Sequence, residues 1–334
     1  MNMTPHPLDL VVESAINGEP ELAEQILLTQ DKDDARVVFN LGWYDMRHGR
    51  LAEGLRKMDA GRFINCFGNS RIPGEIWLDQ PLENKTLLFR SEGGLGDEII
   101  NFRFAKDFQA KGARVVISCH ESLAKLFSRH GFVCVSEKAI PLMLYDYWVP
   151  GMSALHILGY DQDTLSGKPY LTAKPKNLYA KPGTLKVGIR WAGNPKFEHE
   201  QHRKFDPQPL IDLHKLSGVT LYSLQRDEDC VDGLPFADMR EQMKSWEDTA
   251  SIIAGLDLVI TSCTSIAHLS AALGKETWVI VPVLPYYVWA VPGKTSVWYD
   301  SVTLFRQQKY GDWSHPLEDI RLQLLEKTKL KAVA

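Results

Sequence analysis

Residues 247–282 read EDTASIIAGLDLVITSCTSIAHLSAALGKETWVIVP, and two apolar rhythms alternate within them. TASIIAGL spaces its apolar residues as a helix does, and DLVITS (257–262) is a short β-branched run. SIAHLSAAL is helical again and closes on Gly274, and TWVIVP (277–282) is the next run. Strand and helix alternating in this way predict βαβ units with a parallel sheet.

The alternation extends in both directions. KVGIRWAG (186–193) and VTLYSLQ (219–225) are strands with the helical LIDLHKL between them, and SHPLEDIRLQLLEK closes the chain as an amphipathic helix. Upstream, TLLFR (86–90) leads through SEGGLGDE into a helix that stops at Gly112, and RVVISC (114–119) leads into one that stops at Gly131. CVSE and YWVP add short strands. The Pro- and Lys-rich KPYLTAKPKNLYAKPG (168–183) reads as a linker. The expectation is an α/β protein of two doubly wound halves with a cleft between them. Its ligands would meet loops 91–98, 193–204, 225–230 and 261–265, beyond the carboxyl ends of the strands.

Residues 1–60 differ. They hold eleven acidic and six basic residues, a net of −5 in a chain of net −4, and show only helical spacing. Helices are expected from about Asp33 to Arg47 and from about Leu51 to Arg62, with Gly49 as the stop between them. FNLGWYDMRHGRLAEGLRKMDAGR resembles about one and a half tetratricopeptide repeats, too few for a free-standing solenoid. A collar packed on the main domain is the favoured reading, and an acceptor-docking or dimerising surface the alternative.

Composition narrows the classes. At 334 residues, 44% hydrophobic and 24% charged, the chain has the make-up of about two globular domains. The net charge disfavours a broad nucleic-acid surface. Cys66, Cys119, Cys134, Cys230 and Cys263 show no metal or thioredoxin spacing, which suits a reduced, cytoplasmic protein. No secretory leader and no membrane span is expected, since the apolar stretch 277–292 is broken by Pro282, Pro285 and Pro292.

The loops carry the candidate chemistry. In SEGGLGDE, Gly93, Gly94 and Gly96 let a ligand approach the backbone beside Asp97 and Glu98, although an acid at a helix start is often only a cap. The loop is neither GxGxxG nor a P-loop, so nicotinamide and nucleoside-triphosphate chemistry lose ground. WAGNPKFEHEQHRKFDP brings Asn194, Lys196, Arg203 and Lys204 behind a strand, either as solvated charges or as a phosphate clamp. Its His199 and His202 read as polar loop residues, not a metal site. Gln225 ends another strand. In TSCTSIAHLSAALG, Thr264, Ser265 and a helix start make an anion site, with His268 one turn in, where a packed histidine is commoner than a catalyst.

GIRWAGNP, SLQ, the 247–282 stretch, SVWYDSVTLFRQ, GDW, KTLLFRSEGGLGDE and DYWVPGMSALHILG together resemble bacterial tetratricopeptide-containing glycosyltransferases of the GT-B fold. These are related to lipopolysaccharide heptosyltransferases and distantly to O-GlcNAc transferase. The resemblance implies two Rossmann-like domains facing across a cleft, behind a short tetratricopeptide-like segment. Its boundaries fall at 1–65 for the helical segment, 66–172 for the acceptor-side domain, 173–184 for the linker and 185–334 for the donor-side domain. It implies Asp97 as catalytic base, and Arg203, Lys204, Thr264, Ser265 and His268 toward the nucleotide sugar; the loop positions add Gly94, Gly96, Asn194 and Gln225 to the expected nucleotide-sugar site. Many such relatives carry Asp-Thr where this chain has Cys263-Thr264.

The expected activity is transfer of a sugar from a nucleotide-diphosphate donor to an acceptor hydroxyl, inverting, without metal or cofactor. The acceptor would be a saccharide, a protein hydroxyl or, less favoured, a hydroxylated nucleic-acid base. A homo-oligomer through the helical segment is compatible with this reading. The alternative is a non-catalytic interaction protein of the same fold.

Overall fold

The structure is a computed structural model that describes residues 7–67, 72–197, 199–226 and 229–333. Glu198 of the basic loop, and Asp227 and Glu228 of the loop after Gln225, lie outside the described residues. The chain divides into two compact units, Met1–Val11 with Glu24–Leu165 and Val12–Ala23 with Ser166–Ala334.

Four helices come first: α1 (Pro7–Ile16), α2 (Pro20–Leu28), α3 (Ala35–Arg47) and α4 (Leu51–Met58). Asp34 caps α3 by accepting from the Arg36 N–H at 2.8 Å. Gly49, at φ +82°, turns the chain into α4. The two helices lie backbone to backbone where Gly42 meets Gly54: a Cβ on Gly42 would sit 2.5 Å from the Gly54 carbonyl oxygen. The expected fourth helix covers Leu51–Arg62, but its last turn tightens to a 3₁₀ turn over Asp59–Arg62. The Asp161 carboxylate caps α4, accepting from the Leu51 and Ala52 N–H groups at 2.9 and 3.3 Å. The helix pair is thus joined to the rest of the first unit.

The first unit's sheet holds β1 (Glu75–Ile76), β2 (Thr86–Arg90), β3 (Arg114–Ser118), β4 (Val133–Val135) and β5 (Tyr147–Pro150). All are parallel, in the order β1-β5-β2-β3-β4. Helices α5 (Leu95–Ala110), α6 (Glu121–Ser128) and the single turn α7 (Ala154–Ile157) follow β2, β3 and β5. Leu87, Leu88 and Phe89 are all buried, so β2 is covered on both faces, as parallel strands are.

In the second unit a separate sheet contains β6 (Leu185–Arg190), β7 (Val219–Ser223), β8 (Ala237–Asp238), β9 (Leu258–Ser262), β10 (Thr277–Val281) and β11 (Val302–Arg306). It too is parallel throughout, ordered β11-β10-β9-β6-β7-β8. Counted from β6, this is the 3-2-1-4-5-6 order of a Rossmann sheet. Short helices α8 (Glu200–Arg203) and α9 (Gln208–Ile211) follow β6, α10 (Trp246–Ala254) precedes β9, α11 (Ser265–Ala272) joins β9 to β10, and α12 (Ser314–Val333) ends the chain. The core gathers Val187, Ile189, Leu221, Ile260, Ile280 and, from α12, Leu317, Ile320 and Leu324.

The Pro/Lys-rich stretch has no helix or strand, yet it is fastened to the second unit. The Tyr170 and Leu171 N–H groups both donate to the Ala272 carbonyl, and Lys176 N–H donates to that of Ser251. No helix among the described residues is long and apolar enough to cross a membrane.

Candidate active site

Each sheet has one topological switch point, where neighbouring strands send their following loops in opposite directions. In the second unit it lies between β6 and β9. Gln225 is almost wholly buried, and its Oε1 accepts from the Trp191 and Ala192 N–H groups at 3.3 and 3.1 Å, fixing the start of the loop after β6. Glu200 then takes the Gly193 N–H at 2.8 Å on one oxygen and the Arg203 Nε on the other. Arg203 Nη1 donates to the Cys263 carbonyl in the turn after β9, and its guanidinium lies 4.8 Å over the Phe197 ring. One side chain therefore spans the switch point.

Arg203 does this because the loop is not all coil. Glu200–Arg203 forms one helical turn, where the spacing suggested none, and puts the Glu200 and Arg203 side chains three residues apart on one face. Only 13% of the Arg203 side chain is exposed, against 58% for Lys204, which pairs outward with Asp229 at 2.9 Å. Asn194 Oδ1 accepts the Lys196 N–H at 3.0 Å and shapes the turn. His202 packs on His199 and meets the Tyr310 hydroxyl through Nδ1 at 3.2 Å.

Thr264 is the N-cap of α11, with its hydroxyl 3.3 Å from that of Thr261, and Ser265 opens the helix. The Ser262 hydroxyl is buried with no hydrogen-bond partner among the described residues. His268 is only 3% exposed; its ring stacks on Trp289 at 5.2 Å, and its Nδ1 lies 3.3 Å from the Tyr299 hydroxyl. The Cys263 thiol accepts from Trp289 Nε1 at 3.0 Å, and burial pushes its pKa up. Within the second unit, Gln225, Arg203 and Thr264 are thus brought to the ends of β6, β7 and β9, whereas Lys204 turns toward Asp229 and His268 into an aromatic stack.

In the first unit the switch point falls between β2 and β5. The glycine turn follows β2, with Gly93 at φ +77° and Gly94 as N-cap of α5. Gly93 and Gly94 are exposed, while Asp97 and Glu98 beneath them are buried. Asp97 Oδ2 accepts the Gly94 N–H at 2.9 Å, and a Cβ on Gly93 would lie 2.6 Å from that oxygen, so glycine there is a packing requirement. Gly96 sits inside the first turn of α5. Glu98 takes the His120 N–H on both oxygens, at 2.9 and 3.2 Å. Burial holds its pKa at about 7, against the lowering effects of that N–H and of Arg90.

Sequence reasoning missed the groups behind this turn. Glu92 forms a fork-to-fork pair with Arg62, Nε–Oε1 at 2.8 Å and Nη2–Oε2 at 2.6 Å. Arg62 also reaches Asp59 (2.6 Å) and Ser153 (2.9 Å), and Asp59 meets the His156 ring at 3.0 Å. The charges were visible in the sequence, but nothing local pairs residues 30 to 97 positions apart. Among the described residues no group of three or more His, Cys, Asp or Glu side chains is placed to hold a metal ion.

No family model matches the chain. Protein FlbA of Caulobacter vibrioides is 28% identical over 311 residues, covering 79% of this chain and 51% of FlbA, so the chain spans about half the length of that curated relative. Among solved structures, the glycosyl transferase family 9 protein of Veillonella parvula superposes with a TM-score of 0.53 at 9% identity, covering 75% of this chain and 99% of that one. This chain shares the fold of that protein. The dodecameric, iron-containing heptosyltransferase TibC of Escherichia coli, in complex with ADP-D-β-D-heptose, superposes with a TM-score of 0.52 at 12% identity over 76% of each chain. Among the described residues of this chain, no three His, Cys, Asp or Glu side chains converge to hold an iron ion.

Proposed function

We propose that the chain is a glycosyltransferase that moves a sugar from a nucleotide-diphosphate donor to an acceptor hydroxyl, with inversion and without a metal. The observation that carries this reading is the second unit's switch point, where Arg203 crosses from the loop after β6 to the carbonyl of Cys263, beside the Thr264-capped start of α11. A helix N-terminus and a guanidinium offer fixed donors for the charge that develops on a departing diphosphate. The shared glycosyltransferase fold supports the same assignment.

In this reading the first unit has the role of acceptor domain and the second that of donor domain, the chain passing from one to the other between Leu165 and Ser166. Asp97 in the first unit takes the acceptor proton. The acceptor oxygen bonds to the anomeric carbon as the bond from that carbon to the diphosphate oxygen breaks, and the electron pair leaves with the diphosphate. A saccharide or protein hydroxyl suits the chain's charge better than a nucleic-acid base. The tetratricopeptide-like helix pair, with its Gly42–Gly54 contact, is read as a collar that also docks the acceptor. All five cysteines are free thiols, which supports a reducing, cytoplasmic setting.

A thermal-shift panel of ADP, UDP, GDP, TDP and CMP tests the donor site, since a ligand at 100 times its Kd adds about 2.7 kcal/mol. Turnover of the matching nucleotide sugar is then followed with and without EDTA. Lack of response to every nucleotide favours the non-catalytic alternative. Activity lost in EDTA and restored by a divalent ion refutes the metal-free clamp.

A further inference from the structure

The helical segment reaches the glycine turn through one ion pair. The Glu92 side chain is completely buried, two residues before Gly94, whose N–H is held by Asp97. Besides the Arg62 fork, Glu92 Oε2 accepts the Met152 N–H at 3.2 Å, from the turn after β5. Glu92 therefore ties together the two loops that leave the first unit's switch point. A buried carboxylate in that position requires a counter-charge, and a guanidinium fork fixes both of its oxygens at once. That counter-charge comes from the 3₁₀ turn that ends the helix pair. Arg62 is itself oriented by Asp59, which Ser153 and His156 hold at 2.7 and 3.0 Å. The α/β part of the first unit thus carries the acid at the head of its own glycine turn, and the helical segment carries the base that neutralises it.

We infer that Arg62 is a positioning residue: through Glu92 it fixes the glycine turn that presents Asp97, so the helical segment is a working part of the acceptor-side site. The consequence for turnover rests on the glycosyltransferase reading; the consequence for the turn does not. With Arg62 removed, Glu92 loses its charged partner, and the backbone from 91 to 97 loses the anchor at its first end. Asp97 keeps its own cap on Gly94 but rides on a looser turn.

Amide exchange in the full chain tests this by comparing wild type, Arg62→Ala, Arg62→Lys and Glu92→Gln, with Lys57→Ala as a control in the same helix pair. Loss of hydrogen bonds to a buried charge should speed exchange over 91–98 and 151–153 by about ten- to a hundredfold in Arg62→Ala. The sheet and the second unit should stay unchanged, and guanidinium ion at millimolar levels should reverse the effect. Glu92→Gln keeps the shape without the charge and should show the same local change more weakly, so the test survives if Arg62→Ala fails to fold. Unchanged exchange over 91–98 in a folded Arg62 variant overturns the inference, as does acceleration spread over the whole first unit. In parallel, turnover of ADP-, UDP- and GDP-hexoses is followed. A loss in kcat with unaltered nucleotide affinity supports the positioning role. Wild type that turns over none of them counts against the glycosyltransferase reading, while the exchange result still decides the role of Arg62.

Discussion

Replacing Glu98 by Gln should flatten the pH dependence of stability. Burial holds the Glu98 carboxyl at about 7 in the folded chain, against 4.5 when free. Between those two values the native state keeps a proton that the unfolded state has released. Stability therefore falls as pH rises through this window, and the loss is complete above about pH 7. A displacement of this size corresponds to ~3 kcal/mol. For a unit of this length, that amounts to a melting shift of ~6–12 °C. Gln cannot ionise but still offers one oxygen to the His120 N–H, so the hydrogen bond at 2.9 Å is kept. Melting curves of both proteins from pH 4.5 to 8 give the difference directly, because groups common to both cancel. The wild type should lose ground to the variant as pH rises. Carboxyl ¹³C shifts, assigned by the loss of one resonance in the variant, should place the titration near neutrality. A melting difference that stays flat across the window refutes the argument and returns Glu98 to ordinary carboxylate behaviour.

Asp97→Asn keeps the acceptor for the Gly94 N–H but removes the base, so turnover should fall by about 10²–10⁴ with nucleotide affinity intact; near-wild-type rates would make Asp97 a cap alone. Arg203→Ala should weaken nucleoside-diphosphate binding, measured by calorimetry, by about 1.5–3 kcal/mol. Arg203→Lys should recover little of this because an ammonium lacks the planar set of donors by which Arg203 meets both Glu200 and the Cys263 carbonyl, and Lys204→Ala should change it far less. Gly42→Ala drives a Cβ to 2.5 Å from the Gly54 carbonyl oxygen and should destabilise the first unit by about 1–3 kcal/mol in a melting experiment.

Most strands legible in the chain are buried apolar runs, although CVSE marks the more exposed Val133–Val135, and the largely buried Val302–Arg306 carries no turn signal that sets it apart. Thr86–Arg90 and Leu258–Ser262 announce themselves as apolar runs, and the glycine and hydroxyl turns that follow them are marked by residue types with few other uses. The edge strands Glu75–Ile76 and Ala237–Asp238 hold two residues each, too few to show a period. The sequence favours a packed role for His268 but does not show what packs on it: Trp289 and Tyr299 lie against its ring, and every residue from Ile266 to Ala272 is buried. The helical turn Glu200–Arg203 was likewise invisible, since four polar residues carry no apolar stripe; it is held by a carboxylate bridging Gly193 and Arg203.

The cap on α4 also sets an order of events during synthesis. Leu51 N–H finds its acceptor in Asp161, 110 residues further along. At about 5–20 residues per second, a ribosome needs roughly 5–20 s to supply that carboxylate after α4 has emerged. Until then the helix start must rely on water. A helix made well before its cap is therefore among the last parts of the first unit to reach its final form, and a nascent chain stalled before residue 161 should expose the amides of Leu51 and Ala52 to exchange.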